Sequence, residues 1–375
     1  MKLVLLRNYK EEQQLSMKAY ADCISAKLRE KCKEWDIIDY HPKNLKFDTI
    51  TNTLPIARKA MDLFNRYVYY PSQVRKIQAD IYHIVDHANS LFIKNLDEKK
   101  VIVTCHDLIP LLIEGGYFKN IKKPPLALKI FKSSMNYIKK ATLIFADSEN
   151  TMKDLYTVAG VQRCRIVKMP LAAFYPFKRT MEEQNNLFRK KLNVADDTYI
   201  ILTVGLNIFY KNVKGILETL SSLPEKINGK KWIFYHLGER YTEKDLQVVK
   251  NEQVRDRIKQ LGALSYPELE LFYNSADVLF FPSLYEGFGM PVLEAMQCSL
   301  PVITSKVASI PEIGNEAVAY VDPNNTEEMQ QMICEVLSNN KLRQSLQEKG
   351  LKQAQLFNWD NIVNKMIPYY NSILQ

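Results

Sequence analysis

Several features that mark membrane, secreted or metal-binding proteins are missing from this sequence. No apolar run among its 375 residues approaches the length that is needed to span a bilayer. The first stretch, Met1 to Arg7, is too short for a signal peptide and instead favours a buried strand. The six cysteines are scattered without the paired spacing of a metal site, and no repeat or low-complexity tract is present. We therefore expect reduced core thiols in a cytoplasmic protein.

The composition is that of a globular protein, but its charge is unevenly distributed. Hydrophobic residues make up 46% and charged residues 25% of the chain, and the length suits two domains. Residues 1–178 hold 30 basic and 18 acidic side chains, whereas the remainder holds 21 and 24. The whole formal excess of +9 therefore lies in the first half. A basic half predicts an anionic partner, which is a nucleic acid, a membrane surface or a phosphorylated substrate.

The most informative stretch is Asp277–Ser299, where a buried strand, a loop and a helix follow one another. Two glycines precede the helix, and Pro291 opens it, as suits the first helical position. Free N–H groups and the helix dipole at that point favour an anion such as phosphate. Two carboxylates, Glu286 and Glu294, flank the loop and suit the hydroxyls of ribose or a sugar. The plainer alternative is an ordinary strand-to-helix turn in which Glu294 only complements the helix dipole.

The string PSLYEGFGMPVLEAMQCSLPVITS, residues 282–305, resembles the Glu-x7-Glu signature of retaining glycosyltransferases, in particular glycosyltransferase family 4. Members of that family adopt the GT-B fold. The resemblance, with the alternation of strands and helices, implies an α/β protein with two Rossmann-like domains that face an interdomain cleft. We expect an acceptor-binding domain over residues 1–178 and a nucleotide-sugar-binding domain over residues 179–356. Residues 357–375 would form a C-terminal helix that crosses back to the first domain.

The resemblance also implies roles for residues in the second half. Lys211 and Asn212 match a family segment in which an Arg-Lys pair holds the donor pyrophosphate, although Tyr210 stands where Arg is usual. Lys211 is thus the expected phosphate cation, Glu286 holds the transferred sugar, and Glu294 accepts hydrogen bonds from ribose. The other expected donor-binding residues are Gly205, Asn212, Tyr285, Gly287, Phe288, Gly289, Met290 and, in a turn bordering the nucleobase, Leu264.

Polar residues follow two predicted strands of the first half, at the edge where parallel sheets bind ligands. His106, followed by Asp107, ends one of them, and His87 ends the other. A His-Asp pair at that edge suits acid/base chemistry or, more simply, a hydrogen bond that ends the strand. The segment VTCHDLIPLL resembles the family's strand-end histidine segment, which implies that His106 lies beside the donor sugar. His87 is a weaker candidate, and His83 is expected in the core.

A basic segment in the first half offers a second way to bind anions. Lys122 and Lys123 precede a predicted helix, Leu126 to Lys140, which combines an apolar side with four more lysines. Such a helix suits the surface of an anionic membrane, and it equally suits the solvated face of a packed helix. Peripheral contact with the inner face of the plasma membrane is therefore one expectation.

Together these features imply a retaining hexosyltransferase of exopolysaccharide or lipopolysaccharide biosynthesis. It would move a hexose from a nucleotide diphosphate sugar to a glycan or lipid-linked glycan. UDP-glucose or a related UDP-sugar is the expected donor, with GDP-mannose second. No cofactor and no metal are expected, because Lys211 supplies charge and no Asp-x-Asp motif is present. Two alternatives stay open: a GT-B sugar-nucleotide hydrolase or epimerase, and a basic nucleic-acid-binding protein, although residues 1–178 contain no recognisable nucleic-acid motif.

Overall fold

The computed structural model describes residues 1–9, 15–43, 61–118, 121 and 125–374. The chain forms two compact units, one of Met1–Phe174 with Trp359–Gln375 and the other of Tyr175–Asn358. Each unit contains a six-stranded sheet whose strands are all parallel, with helices between them. The predicted α/β class with two parallel-sheet domains is confirmed.

The sheet of the first unit has the order β2-β1-β3-β4-β5-β6. Its strands consist mostly of buried residues, as a parallel sheet covered on both faces requires. The chain adds β2 on one side of β1, and it adds β4, β5 and β6 on the opposite side of the sheet, beyond β3. The strand order therefore reverses between the neighbours β1 and β3. The strands are β1 (Lys2–Leu6), β2 (Asp36–Tyr40), β3 (Ile81–Ile84), β4 (Val101–Cys105), β5 (Leu143–Ala146) and β6 (Ile166–Lys168).

Helices of varied length cover this sheet. The predicted basic helix is observed as Pro125–Ile138. Lys132, within it, binds Glu114, and Lys140, two residues after its end, binds Glu98. Lys122 and Lys123 lie outside the described residues. The α-helices are α1 (Leu15–Lys31), α2 (Tyr70–Val74), α3 (Ile109–Glu114), α4 (Pro125–Ile138), α5 (Glu149–Thr157) and the C-terminal helix (Trp359–Ser372). Shorter 3-10 helices span His87–Asn95, Glu98–Lys100 and Arg163–Arg165, and a π-helical turn spans Asn65–Tyr69.

A chain of buried hydrogen bonds joins the C-terminal helix to the centre of the first unit. The Tyr370 hydroxyl lies 2.7 Å from Nδ1 of His83, whose Nε2 lies 2.7 Å from Oγ1 of Thr104. The same Oγ1 lies 2.8 Å from the hydroxyl of Tyr20 on α1. All four side chains are fully buried. The prediction that His83 is a core histidine is confirmed, since both of its ring nitrogens are used inside the fold.

The points where the chain leaves and re-enters the first unit lie side by side. Trp359 Nε1 donates to the carbonyl of Ala173 at 2.9 Å, and its ring stacks on Phe174. Asp360 binds both Lys27 and Lys31 of α1 at 3.1 Å. The first turn of the C-terminal helix is therefore fastened to α1 and to residues 173–174.

The sheet of the second unit has the order β12-β11-β10-β7-β8-β9, so its strand order reverses between β7 and β10. Its strands are β7 (Thr198–Gly205), β8 (Lys231–Gly238), β9 (Ile258–Leu261), β10 (Val278–Phe281), β11 (Val302–Ser305) and β12 (Ala319–Val321). Its helices are α6 (Glu182–Lys191), α7 (Val213–Ser222), α8 (Glu243–Leu246), α9 (Glu252–Asp256), α10 (Tyr266–Ser275), α11 (Met290–Gln297), α12 (Ile310–Gly314), α13 (Thr326–Ser338) and α14 (Asn340–Ala354). A 3-10 turn spans Phe209–Lys211.

None of the helices within the described ranges combines the length and the hydropathy that a membrane span needs.

Candidate functional site

The topology of the second sheet brings two predicted segments together. β7 and β10 are neighbours, and their connections leave in opposite directions. Ligands of open α/β sheets bind beyond the carboxyl ends of the strands at such a switch point. Gly205 ends β7 and is followed by the turn that contains Lys211, while β10 leads into the loop at residues 282–289. The strand order thus explains why residues 75 positions apart, Lys211 and Glu286, meet.

The loop after β10 is fastened by hydroxyl groups from the next strand and helix. Ser309 Oγ lies 2.9 Å from the carbonyl oxygen of Glu286 and 2.6 Å from that of Phe288. Thr304 and Ser305 donate to the carbonyls of residues 281 and 283 in the same way. These bonds hold the loop backbone in one shape before any ligand arrives. Sequence reasoning missed Ser309, because nothing in its local pattern indicates which carbonyl it reaches.

The loop ends in a backbone conformation that suits glycine. Gly289 has φ +114°, and a Cβ at this position would lie 2.7 Å from Cδ1 of Ile310. α11 begins at the next residue, with Pro291 in its first turn. Within the described part of the chain, no protein group accepts a hydrogen bond from the N–H groups of Gly289 and Met290. The start of α11 therefore offers backbone donors and the positive end of a helix dipole to an anion.

Lys211 and Glu286 form a direct ion pair. Lys211 Nζ lies 2.7 Å from Oε1 and 3.0 Å from Oε2 of Glu286, and both side chains are largely buried. The ammonium group also lies 4.7 Å from the ring centre of Phe281, and the lysine stem runs past Gly205. The cation predicted to hold phosphate and the carboxylate predicted to hold the sugar are thus each other's partner.

Glu294, on α11, is buried and bound by a residue that the sequence did not single out. The hydroxyl of Tyr273, on α10, donates to Oε2 of Glu294 at 2.7 Å. Burial raises the pKa of the Glu294 carboxyl, while the Tyr273 hydrogen bond and the nearby charge of Lys211 lower it, and the result is about 7. Glu294 therefore titrates near neutrality, far from the ordinary range of a glutamate.

The remaining predicted donor residues differ in placement. Asn212 has a left-handed backbone, caps α7 through the N–H of Gly215, and donates to the carbonyls of Pro282 and Pro323 at 3.0 and 2.7 Å. The Asn212 side chain therefore connects the start of α7 with the segments that follow β10 and β12, and both its amide nitrogen and its amide oxygen are hydrogen-bonded. Tyr285 is buried in the loop after β10. Leu264 is half-buried and follows the edge strand β9, two strands away from β7.

His106 lies in the first unit, at the carboxyl end of β4, with both ring nitrogens engaged. Nδ1 lies 2.7 Å from Oδ2 of Asp147, and Nε2 lies 2.9 Å from the carbonyl oxygen of Val85. Burial lowers the pKa of His106, but Asp147, Asp86 and the Val85 carbonyl outweigh it and raise the pKa to about 9. His106 is thus an imidazolium at neutral pH and donates through both nitrogens.

The acid partner of His106 is Asp147 and not the adjacent Asp107. Asp107 instead accepts from the N–H of Ile109 at 3.1 Å, where α3 begins. Asp147 directly follows β5, which pairs with β4 in the sheet, so strand order brings it beside His106. The two residues are 41 positions apart in the chain, so only the strand order, which the sequence does not reveal, shows that they are neighbours.

The switch point of the first sheet, between β1 and β3, also carries polar side chains. Asn8 Nδ2 donates to Asp86 at 2.8 Å, and Asn89 donates to Oδ1 of Asn8 at 2.8 Å. His87 lies next in the chain, with Nδ1 3.4 Å from the backbone nitrogen of His106. The polar side chains at this switch point are therefore hydrogen-bonded within the protein.

Within the described ranges, no group of three or more His, Cys, Asp and Glu side chains is arranged to hold a metal ion.

Residues 184–353 match the family model described as Glycosyl transferases group 1. This segment is similar to that family and spans less than half of the chain. It contains Lys211, Glu286 and Glu294, and it lies within the second unit.

Two curated relatives extend the match beyond that segment. O-antigen chain mannosyltransferase B of Escherichia coli is 29% identical over 241 residues, which are 64% of this chain and 63% of the relative. Serotype-specific mannosyltransferase WbdA, also of Escherichia coli, is 24% identical over 281 residues, 74% of this chain and 34% of WbdA. The aligned part of the chain thus spans less than two thirds of either relative.

Solved structures match the fold over nearly the whole chain. WaaG, a glycosyltransferase involved in lipopolysaccharide biosynthesis, superposes with a TM-score of 0.71 at 15% identity, covering 98% of both chains. Sucrose-phosphate synthase from Thermosynechococcus elongatus gives a TM-score of 0.71 at 17% identity, covering 100% of this chain and 99% of the other. The prediction of two Rossmann-like domains of the GT-B type is confirmed.

Proposed function

We propose that this protein is a glycosyltransferase that moves a hexose from a nucleotide diphosphate sugar to a hydroxyl of a glycan or lipid-linked glycan. The observation that carries the proposal is the switch point of the second sheet. There a lysine, two buried carboxylates and the start of α11 lie together, in a segment that matches group 1 glycosyl transferases. A cation and a helix N-terminus suit a diphosphate, and carboxylates suit ribose and sugar hydroxyls.

The ion pair between Lys211 and Glu286 gives the proposal an order of events. The donor diphosphate competes with Glu286 for the ammonium group, so its arrival releases the carboxylate. Glu286 is then able to accept hydrogen bonds from the sugar, while Lys211 and the N–H groups at Gly289 and Met290 face the diphosphate. These groups are fixed where negative charge develops as the bond to the diphosphate breaks.

We propose retention of the anomeric configuration and no metal. The bond from the anomeric carbon to the phosphate oxygen breaks, the bond to the acceptor oxygen forms on the same face, and the acceptor proton passes to the departing phosphate. The charge of Lys211 serves the role that a metal ion has in other transferases. For His106, in the first unit, we propose a fixed positive charge and no proton-accepting role, since both ring nitrogens donate to protein acceptors.

The names of the relatives bear on the donor. Both curated relatives described above are mannosyltransferases, so we place GDP-mannose ahead of the UDP-glucose that the sequence favoured. O-antigen or another lipopolysaccharide glycan is the corresponding acceptor class. Peripheral contact between the basic first unit and an anionic membrane stays part of the proposal, and sedimentation with anionic and neutral vesicles tests it.

The deciding experiment measures donor binding and sugar transfer with GDP-mannose and UDP-glucose. A donor at 100 times its Kd should raise the unfolding free energy by about 2.7 kcal/mol, which a thermal-shift assay detects. Lys211→Met and Glu286→Gln should each lower transfer by about 100-fold or more. Lys214→Met, which removes an exposed lysine three residues away on α7, is the matched control and should transfer normally.

Two outcomes would count against the proposal. Wild-type rates in both Lys211→Met and Glu286→Gln would remove the assigned roles. Release of free sugar with no glycosylated acceptor, across lipid-linked and soluble glycans, would favour a sugar-nucleotide hydrolase instead.

A further inference from the structure

Tyr273 is a fully buried tyrosine whose hydroxyl is directed at a predicted ligand-binding carboxylate. Its ring packs edge-on against Phe177, with 5.6 Å between centres, and none of its surface is exposed. Its hydroxyl donates to Oε2 of Glu294 at 2.7 Å and has no other partner in the described part of the chain. Burial and the adjacent Glu294 raise the pKa of Tyr273 well above its usual value, so the hydroxyl stays a donor.

The two oxygens of Glu294 are thereby made unequal. Oε2 is occupied by Tyr273, whereas Oε1 accepts no hydrogen bond from the described residues. An ionised carboxylate only accepts hydrogen bonds and has capacity for several, so Oε1 keeps a capacity that the described residues do not use. The hydroxyl of Tyr273 fixes the rotamer of Glu294, and Oε1 is the oxygen that remains for a ligand.

We infer that Tyr273 is a positioning residue for nucleotide recognition: its hydroxyl holds the Glu294 carboxylate so that Oε1 accepts a hydrogen bond from a ribose hydroxyl of the donor. The inference rests on the proposed function, in which Glu294 binds the nucleoside. Tyr273 itself touches no substrate and acts through Glu294. It therefore controls how well the protein distinguishes a ribonucleotide from a nucleotide that lacks ribose hydroxyls.

The test compares the affinities of GDP and UDP with those of their 2′,3′-dideoxy analogues, measured by calorimetry. Wild-type protein should bind the preferred ribonucleotide roughly tenfold or more tightly than its dideoxy analogue, the factor that one hydrogen bond to a charged group supplies. Tyr273→Phe keeps the ring and removes the hydroxyl, so this ratio should fall several-fold. Glu294→Gln should reduce the ratio as well, and the double variant should add little to either single change.

Tyr199→Phe is the matched control. Tyr199 is buried at the amino end of β7, away from the switch point, so its variant should keep the wild-type ratio. A purely structural role for Tyr273 would weaken ribonucleotide and analogue equally and leave the ratio unchanged, which would overturn the inference. If Tyr273→Phe does not fold, 3,5-difluorotyrosine at position 273 preserves the packing and makes the hydroxyl more acidic, and an unchanged ratio there is equally decisive.

Failure of the proposed function gives a different result. Wild-type protein that binds neither GDP nor UDP removes the nucleotide site, and the role of Tyr273 with it. If the wild-type protein binds a nucleoside diphosphate more tightly than its dideoxy analogue, the proposed function stands. If the Tyr273→Phe variant then shows the same ratio of affinities, only the positioning role of Tyr273 is refuted.

Discussion

Replacing Glu294 by glutamine should stabilise the ligand-free protein at alkaline pH. The carboxyl of Glu294 has its pKa raised from 4.5 to about 7, chiefly by burial. Each pKa unit corresponds to about 1.4 kcal/mol, so ionised Glu294 lowers the unfolding free energy by about 3 kcal/mol at most. Glutamine carries no charge to bury, and its amide oxygen is able to accept the hydrogen bond from Tyr273.

The sign of the pH dependence follows from the two protonation states. At about pH 4 the carboxyl is protonated in both the folded and unfolded protein, so Glu294 carries no penalty. Between pH 4.5 and 7 the unfolded chain loses this proton while the folded protein keeps it, and the unfolding free energy falls. Above pH 7 the full penalty remains. Glu294→Gln should therefore match the wild-type protein near pH 4 and exceed it at pH 8.

The assay is denaturant and thermal unfolding of both proteins at pH 4 and pH 8, without nucleotide. A gain of about 3 kcal/mol corresponds to a rise of roughly 6–12 °C in Tm for a unit of this size. Glu316→Gln, at an exposed glutamate, should change neither value. A variant that is no more stable than wild type at pH 8, or equally more stable at both pH values, would refute the reasoning. The same variant should bind donor poorly, so stability and function are opposed at this residue.

Two further predictions concern the scaffold of each unit. Gly215→Ala would place a Cβ 2.6 Å from the Asn212 side chain, so we expect a loss of about 1–3 kcal/mol in chemical denaturation, whereas Gly262→Ala, with nothing within 4 Å, should cost less than about 0.5 kcal/mol. For His106, whose pKa is raised to about 9, the stabilising charge is complete below pH 6.5 and is lost as the pH rises through 9. His106→Asn should therefore remove the fall in unfolding free energy between pH 6.5 and 9. It should also destabilise the protein at pH 6 by about 3–5 kcal/mol, because Asp147 is left unpaired. An unchanged slope of unfolding free energy against pH would contradict the pairing.

Features that are local in the chain were the ones that the sequence revealed. Parallel strands buried on both faces appear as continuous apolar runs, as Val278–Phe281 shows, and so the two sheets were predictable. The strand-loop-helix pattern around Glu286 was visible for the same reason, since glycine, proline and carboxylate follow one another within a few residues.

Partnerships between distant residues were not predictable in this way. The pairs of His106 with Asp147, Glu294 with Tyr273 and Lys211 with Glu286 each depend on which strands or helices become neighbours. Strand order is decided by the packing of the whole sheet, and no short pattern encodes it. The pairing with Asp147 raises the pKa of His106, and the Tyr273 hydrogen bond lowers the pKa of Glu294, so these two effects could not be read from the sequence even where the residues could.

The division of the first unit into two chain segments has a consequence for biosynthesis. The C-terminal helix places Tyr370 beside His83 in the core of that unit, but it is translated after the whole of Tyr175–Asn358. At translation rates of roughly 5–20 residues per second, the second unit takes about 10–40 s to emerge. The first unit is the first to emerge from the ribosome, but its core is complete only after the C-terminal helix has been synthesised. During that interval the face that receives the C-terminal helix is open to chaperones, and a chain that ends before residue 359 has a complete second unit and an unfinished first unit.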